Sequence, residues 1–318
     1  MKSVKITLRY SIIFTLVLSF MVISCGKDNT KKDNTKKDNT KKDNTPKDIT
    51  KKDTTKTALK NALTFYTSFD KGIDADFSLG DPKLYTVPSR KARDSAKIGL
   101  HKKGVSLSEG QGLKGGALLY EEDSKSYIYY ASKDNISYNE NEWNGAVSFW
   151  LNLDPATDLE PGYCDPIQIT DVSYNDASIW VDFTKENPRD FRLGVIGDKA
   201  SWKKDTTISD NDDPDFINQL LPVSNPPFAK GTWTHIFINF QNLNSGKGET
   251  SLYINGVLKG QRDGITDPFS WELENSNIYL GLGYIGLMDE LSIFNRNLTP
   301  KEISTLFSLE NGVHTLLK

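Results

Sequence analysis

The chain has 318 residues, with 39 Lys and Arg against 42 Asp and Glu, a net charge of −3 and only two cysteines. Three cations in the first 25 residues and a +4 excess over residues 26–55 leave −10 on residues 56–318, which argues against a basic nucleic-acid-binding face. With only Cys25 and Cys164, the fold does not depend on a disulfide framework.

In chain order, Lys2, Lys5 and Arg9 precede the apolar run Tyr10–Ser24, whose 15 residues fit a signal peptide. A membrane-spanning helix needs about 20. The run ends in Val22-Ile23-Ser24-Cys25, which resembles a bacterial lipobox. Residues 1–24 are thus expected to be a lipoprotein signal peptide and Cys25 a lipidated residue, the membrane being held through lipid. The alternative is an ordinary secretory signal with an incidental cysteine. Residue 26 is Gly rather than Asp, which under the lipoprotein sorting rule disfavours inner-membrane retention. The expected location is the bacterial cell envelope, at the outer membrane, with the side left open. Gly26–Thr55 is six five-residue units such as KKDNT, too polar to offset ordering entropy. Residues 25–60 are therefore read as the lipidated cysteine and a disordered tether, with an average span of roughly 30 Å, and residues 61–318 as one domain.

That domain reads as all-β. Strands are predicted at Leu63–Phe69, Gly116–Glu121, Ser126–Ala131, Ala146–Leu153, Pro166–Val172, Ser178–Thr184, Phe191–Ile196, Trp233–Phe240 and Leu287–Phe294. Asn255-Gly256 predicts a two-residue type I′ hairpin between Ser251–Ile254 and Val257-Leu258. One helix is predicted near the end, with Thr299 at N-cap, Pro300 at N1 and Glu302 at N3 of a capping box, and Leu298 and Ile303 as its hydrophobic staple. Residues 80–113 and 197–231 read as irregular.

The segments FYTSFD (Phe65–Asp70), GGALLY (Gly115–Tyr120), GAVSFWLNLD (Gly145–Asp154), WTHIFINF, SLYINGVLKG and GLMDELSIFNRNLTPKEISTLF together resemble the LamG-like, concanavalin A-like jelly-roll superfamily over roughly residues 62–312. The resemblance implies a β-sandwich of two antiparallel sheets with a short C-terminal helix. It also implies a structural calcium, with Asp70 and Asp289 at the matching positions. Hard oxygen donors suit that ion. The alternative places both acids at a turn and a strand end. The acidic run Ser209–Asp215 lacks EF-hand spacing and reads as a solvated loop.

Alternation puts Val147, Phe149, Leu151, Ile179, Val181, Phe183, Leu193, Val195, Ile236, Ile238 and Phe240 on aliphatic faces. Opposite them stand Trp150, Trp180, Asp182, Arg192, Trp233, His235 and Asn239. Aromatic rings that stack on sugars, beside polar groups that take hydroxyls, make Trp180, Asp182, Arg192, Trp233 and His235 the candidate ligand-binding residues. The competing reading is a second core layer of tryptophans beneath long loops. No pair of carboxylates with glycosidase spacing, no triad and no phosphate loop appears in the sequence. The expected function is a non-catalytic binding module, taking a glycan or a surface-protein partner. An accessory protein making only protein contacts is the alternative, and glycoside chemistry a third.

Overall fold

The computed structural model describes residues 47–123, 126–309 and 311–318, and of residues 47–53 the backbone alone. The signal segment, Cys25 and the repeats up to residue 46 lie outside the described residues.

Along the chain the elements are α1 (Lys47–Ala62), β1 (Leu63–Thr67), β2 (Phe77–Ser78), β3 (Tyr85–Val87), β4 (Lys97–Ile98), β5 (Val105–Ser108), β6 (Ala117–Tyr120), β7 (Tyr127–Ala131) and β8 (Trp143–Asn152). There follow β9 (Cys164–Thr170), β10 (Ser178–Phe183), β11 (Phe191–Ile196), α2 (Lys199–Trp202), α3 (Pro214–Ile217), β12 (Leu220–Val223) and β13 (Thr234–Leu243). The chain ends with β14 (Gly248–Ile254), β15 (Val257–Ile265), β16 (Asn277–Leu282), β17 (Gly286–Phe294) and α4 (Pro300–Phe307).

Two antiparallel sheets result. Sheet A runs β15-β14-β13-β8-β17-β1-β2, with β6 also on β17 and β5 on β6; sheet B runs β12-β11-β10-β9-β16-β7-β3-β4. All eleven residues expected on aliphatic faces lie in one core between them. The hairpin forms as the sequence predicts, with φ of 52° at Asn255 and 73° at Gly256. The capping box at Thr299 and Glu302 is complete, and Leu298 and Ile303 pack in a second, smaller core.

Three segments differ from expectation. Residues 47–60, expected within the disordered tether, fall in α1. The helix is anchored near its end by Leu59 and Ala62, both buried against α4 and the C-terminal turn. A fully buried leucine is worth about 1.5–3 kcal/mol, a gain that composition cannot disclose because the partner residues lie over 200 positions away. The two irregular stretches also carry structure: residues 80–113 hold β3, β4, β5 and a 3-10 turn at Arg90–Ser95, and residues 197–231 hold α2, α3 and β12.

β17 is the seam of sheet A. Its first half pairs with β6 and its second half with β1, while β8 lies along its other side. Between the halves the register slips and Glu290 takes a φ of 53°. The slip buries Asp289 and Glu290 and aims their carboxylates at different partners.

Candidate functional site

The sequence-predicted residues do not share one face. Trp150, Trp233 and His235 belong to or border β8 and β13 of sheet A, whereas Trp180, Asp182 and Arg192 stand on β10 and β11 of sheet B. Outward positions of the two sheets point to opposite sides of the sandwich. The structure brings the second group together and covers the first.

On sheet B, Asp182 and Arg192 are directly paired across β10 and β11. Arg192 Nε donates to Asp182 Oδ1 at 2.8 Å and Nη2 donates to Oδ2, a bidentate clamp. The guanidinium lies 5.0 Å from the Tyr163 ring centroid and 5.9 Å from that of Trp180, and its Nη1 donates to Asn211 Oδ1 at 3.1 Å. Trp180 is almost fully buried and its Nε1 donates to the Tyr174 carbonyl at 2.6 Å. Gly194 lets the indole lie flat: a Cβ there would meet Trp180 Cε2 at 2.3 Å. A bulge at Asp165-Pro166 turns Asp165 outward as well, where Gln168 Nε2 donates to its Oδ2 at 2.6 Å.

These groups line a cavity of about 170 Å³ whose rim carries Tyr163 and Tyr174, 41% and 36% exposed. Burial pushes the Asp165 carboxyl well above the usual carboxylate range, and the Asp182 charge adds to the effect. Burial also raises Asp182, with the Arg192 hydrogen bonds opposing it. The pocket thus presents an acid whose charged form burial disfavours beside a carboxylate clamped by a guanidinium. Sequence reasoning missed Asp165, Tyr163, Tyr174, Asn211 and Phe216. A bulge places Asp165, the loops flanking β9 place Tyr163 and Tyr174, and the insertion places Asn211 and Phe216, and none of these has a periodic signature.

The insertion is pinned by an internal cation. Lys203 Nζ lies 3.0 Å from Asp210 and 2.9 Å from Asp213, and donates to the Ile208 carbonyl at 2.7 Å. Asp210 also accepts from Tyr174 Oη at 2.7 Å and Asn175 Nδ2 at 2.6 Å. The acidic run that reads as a solvated loop is therefore partly folded around a lysine. Trp202 and Phe216 from this insertion join Trp180, Ile196 and Leu220 in a small apolar cluster. That cluster is the second core layer weighed as the competing reading, and Trp180 belongs both to it and to the pocket wall.

On sheet A, His235 is fully buried and shares a 2.8 Å hydrogen bond with Ser148 Oγ. Phe307 of α4 stacks over His235 at 5.6 Å and Trp150 at 5.7 Å, and Trp233 is half-buried at the strand's start. Burial lowers the His235 pKa to about 3, so the ring is neutral. Cys164 is buried in the core with its thiol pushed well up by burial, which leaves no reactive thiolate.

Asp70 and Asp289 converge on one glycine-rich turn. Leu113 N donates to Asp289 Oδ2 at 2.6 Å, Gly116 N donates to Asp70 Oδ1 at 2.9 Å, and Gly112 N closes the turn on the Gly115 carbonyl at 3.0 Å. A Cβ at Gly115 would sit 2.2 Å from Asp70 Oδ1, and one at Gly112 would sit 2.8 Å from Asp289 Oδ2. Burial, with the charges of Glu290 and Asp70, raises Asp289 to about 9. Glu290 points elsewhere, to Tyr66 Oη at 2.7 Å and Val313 N at 2.7 Å. Among the described residues no group of three His, Cys, Asp or Glu side chains could hold a metal ion. A cation at this turn would need carbonyl or water oxygens beside the two carboxylates.

No curated protein matches the sequence. Among solved structures, domain 4 of an extracellular GH43 arabinanase from Geobacillus stearothermophilus, in complex with arabinotriose, is similar at 18% identity, covering 76% of this chain and 97% of that one with a TM-score of 0.47. The binding domain of Paraclostridial Mosquitocidal Protein 1 is similar at 14% identity, with 78% of this chain and 52% of that one covered and a TM-score of 0.43. The receptor binding domain of botulinum neurotoxin D is similar at 14% identity, with 78% and 53% covered and a TM-score of 0.48. A family model matches residues 123–304, more than half of the chain. The chain belongs to the concanavalin A-like lectin/glucanases superfamily.

Proposed function

We propose that this protein is a non-catalytic glycan-binding module held at a bacterial cell envelope by lipid on Cys25. The observation that carries the glycan reading is the sheet B pocket, where two exposed tyrosines rim a floor of Asp165, Asp182, Arg192 and Asn211. Aromatic faces for sugar C–H groups beside convergent acceptors and donors are what a hydroxyl-rich ring requires. The non-catalytic reading is supported by the clamp. Both Asp182 oxygens are engaged by Arg192, so the two pocket acids do not act as a free acid and base pair. The lipid anchor is supported by the Val22–Cys25 motif alone.

A glycan array followed by calorimetry on the best saccharide tests this. Tyr163→Ala and Tyr174→Phe each weaken binding about tenfold or less, and Tyr174→Ala about tenfold or more, a loss of about 1.4 kcal/mol. Tyr163→Ala leaves the melting temperature nearly unchanged, whereas Tyr174→Ala lowers it by the loss of its hydrogen bond to Asp210. Binding indifferent to both alanine substitutions, or no saccharide bound across a broad panel, overturns the reading. The alternative of an accessory protein making only protein contacts has one observation in its favour, the 56% exposed Val257 and 46% exposed Leu258 at the β14–β15 hairpin.

The Asp70–Asp289 turn is proposed as a structural calcium site. The missing Cβ atoms at Gly112 and Gly115 leave the two carboxylates room, and a bound cation would discharge the buried Asp289. Calcium at about 100 times its Kd then stabilises the domain by about 2.7 kcal/mol. The melting temperature rises accordingly and falls back with chelator, while Asp289→Asn abolishes the response. A wild-type melting curve that chelator leaves in place counts against the site.

A further inference from the structure

We propose that the pocket is one end of a longer groove across sheet B, whose other half is a tyrosine platform covered by the turn at Arg90–Ser95, and that its ligand is a multi-ring glycan chain lying across the strands. The proposal rests on the glycan reading above and names the shape of the ligand that reading leaves open.

The register of sheet B puts Tyr85, Tyr129, Tyr279, Gln168, Trp180 and Gly194 on one continuous rung through β3, β7, β16, β9, β10 and β11. Their chain neighbours Leu84, Ile128, Tyr130, Ile278, Leu280, Ile167, Ile169, Ile179, Val181, Leu193 and Val195 all lie in the central core, so every member of the rung faces outward. By strand spacing, Trp180 stands about 10 Å from Tyr279 and about 19 Å from Tyr85. The rung thus carries aromatic rings on either side of the Gln168 amide. Tyr85 stacks on Tyr129 at 5.5 Å, and Tyr129 touches Tyr279 at 5.7 Å.

The far half has a polar cover. Tyr279 is only 1% exposed, although it stands on an outer face. Over its ring lies the Arg90 guanidinium, 4.3 Å from the centroid and 5.5 Å from that of Tyr127. The Arg90–Ser95 turn buries none of its own residues. It is tied to the sheet by donated hydrogen bonds, from Arg90 to Gln168 Oε1 and the Val172 carbonyl and from Arg93 to the Asp171 carbonyl, and by Ala92, which packs half-buried against the Val87, Tyr129 and Tyr279 cluster. Gln168 in turn donates to Asp165 on the pocket floor, so one hydrogen-bonded chain joins cover and pocket. Displacing this cover costs a few hydrogen bonds, the stacking of Arg90 on Tyr279 and the light packing of Ala92 and Ala96 against the Val87, Tyr129 and Tyr279 cluster, with no fully buried side chain of the turn to extract. The rings it exposes continue the surface that begins at Trp180.

Neutral oligosaccharides of two to six rings, from the series that the array selects, test the proposal against wild type and Arg90→Ala/Arg93→Ala. In wild type the hexasaccharide, and not the disaccharide, speeds amide hydrogen exchange in residues 90–96. In the double variant the preference for hexasaccharide over disaccharide rises about tenfold or more, the worth of one hydrogen bond to a charged group no longer broken. Nitration of Tyr279 by tetranitromethane, read by peptide mass spectrometry without any saccharide, also rises about tenfold or more in the double variant, since the cover opens when such a hydrogen bond is gone. Saccharides that bind alike at every length, with Tyr279 still unreactive in the variant, overturn the groove and leave the pocket standing. Failure of every saccharide to bind overturns the pocket reading and the ligand proposed here, with the nitration result still reporting whether the turn covers the platform.

Discussion

Arg192→Ala lowers the unfolding free energy by about 3–5 kcal/mol, because it strands a buried carboxylate without its partner. The Asp182 side chain is 4% exposed and that of Arg192 11%, so little solvent screens the pair. The lost charge also leaves Asp182 beside Asp165 with no neighbouring guanidinium to balance it. Removing both charges with Asp182→Leu/Arg192→Met recovers most of the stability, since a buried ion pair replaced by apolar groups of similar size is often neutral. Urea unfolding of the three proteins checks this. A single-variant loss below about 1 kcal/mol, the worth of a surface pair, would show the clamp to be solvated. Saccharide binding is lost in both variants, which separates the stability of the pocket from its use.

Acid destabilises the fold through His235. Burial lowers its pKa to about 3 in the folded protein, against about 6.5 in the unfolded chain. Between those values the unfolded state holds the extra proton, so the stabilisation is complete above pH 6.5 and is lost as the pH falls towards 3. At 1.36 kcal/mol per unit the effect reaches about 5 kcal/mol. The buried acids act with the opposite sign. Asp289, raised to about 9, and Glu290, raised to about 7, contribute stability below their unfolded values and lose it as the pH rises towards those figures. The wild-type profile sums both trends, and the difference between wild type and His235→Gln isolates the ring. A difference curve that is level from pH 3 to 7 would place His235 in contact with water.

Much of this molecule is legible locally. Period-two alternation assigned the aliphatic residues of β8, β10, β11 and β13 to the core, and all of them lie there. Asn255-Gly256 and the Thr299–Glu302 box are contained within a few residues and form as their chemistry requires. The candidate site was half legible. Trp180, Asp182 and Arg192 stand together, since a cross-strand pair on neighbouring hairpin strands keeps its side in both strands. Trp233 and His235 do not join them.

The chain by itself thus determined which residues point inward, where the hairpin turns and how the last helix begins. Alternation states which side of its own strand a residue occupies, and it is silent on which sheet that strand enters. Only the tertiary structure decided that β8 and β13 lie in one sheet and β10 and β11 in the other, and that α4 seals His235 under Phe307. The same long-range contacts set the bulge that turns Asp165 outward and the arginine over Tyr279. Each joins residues distant in sequence, through register and packing that no short window of sequence contains.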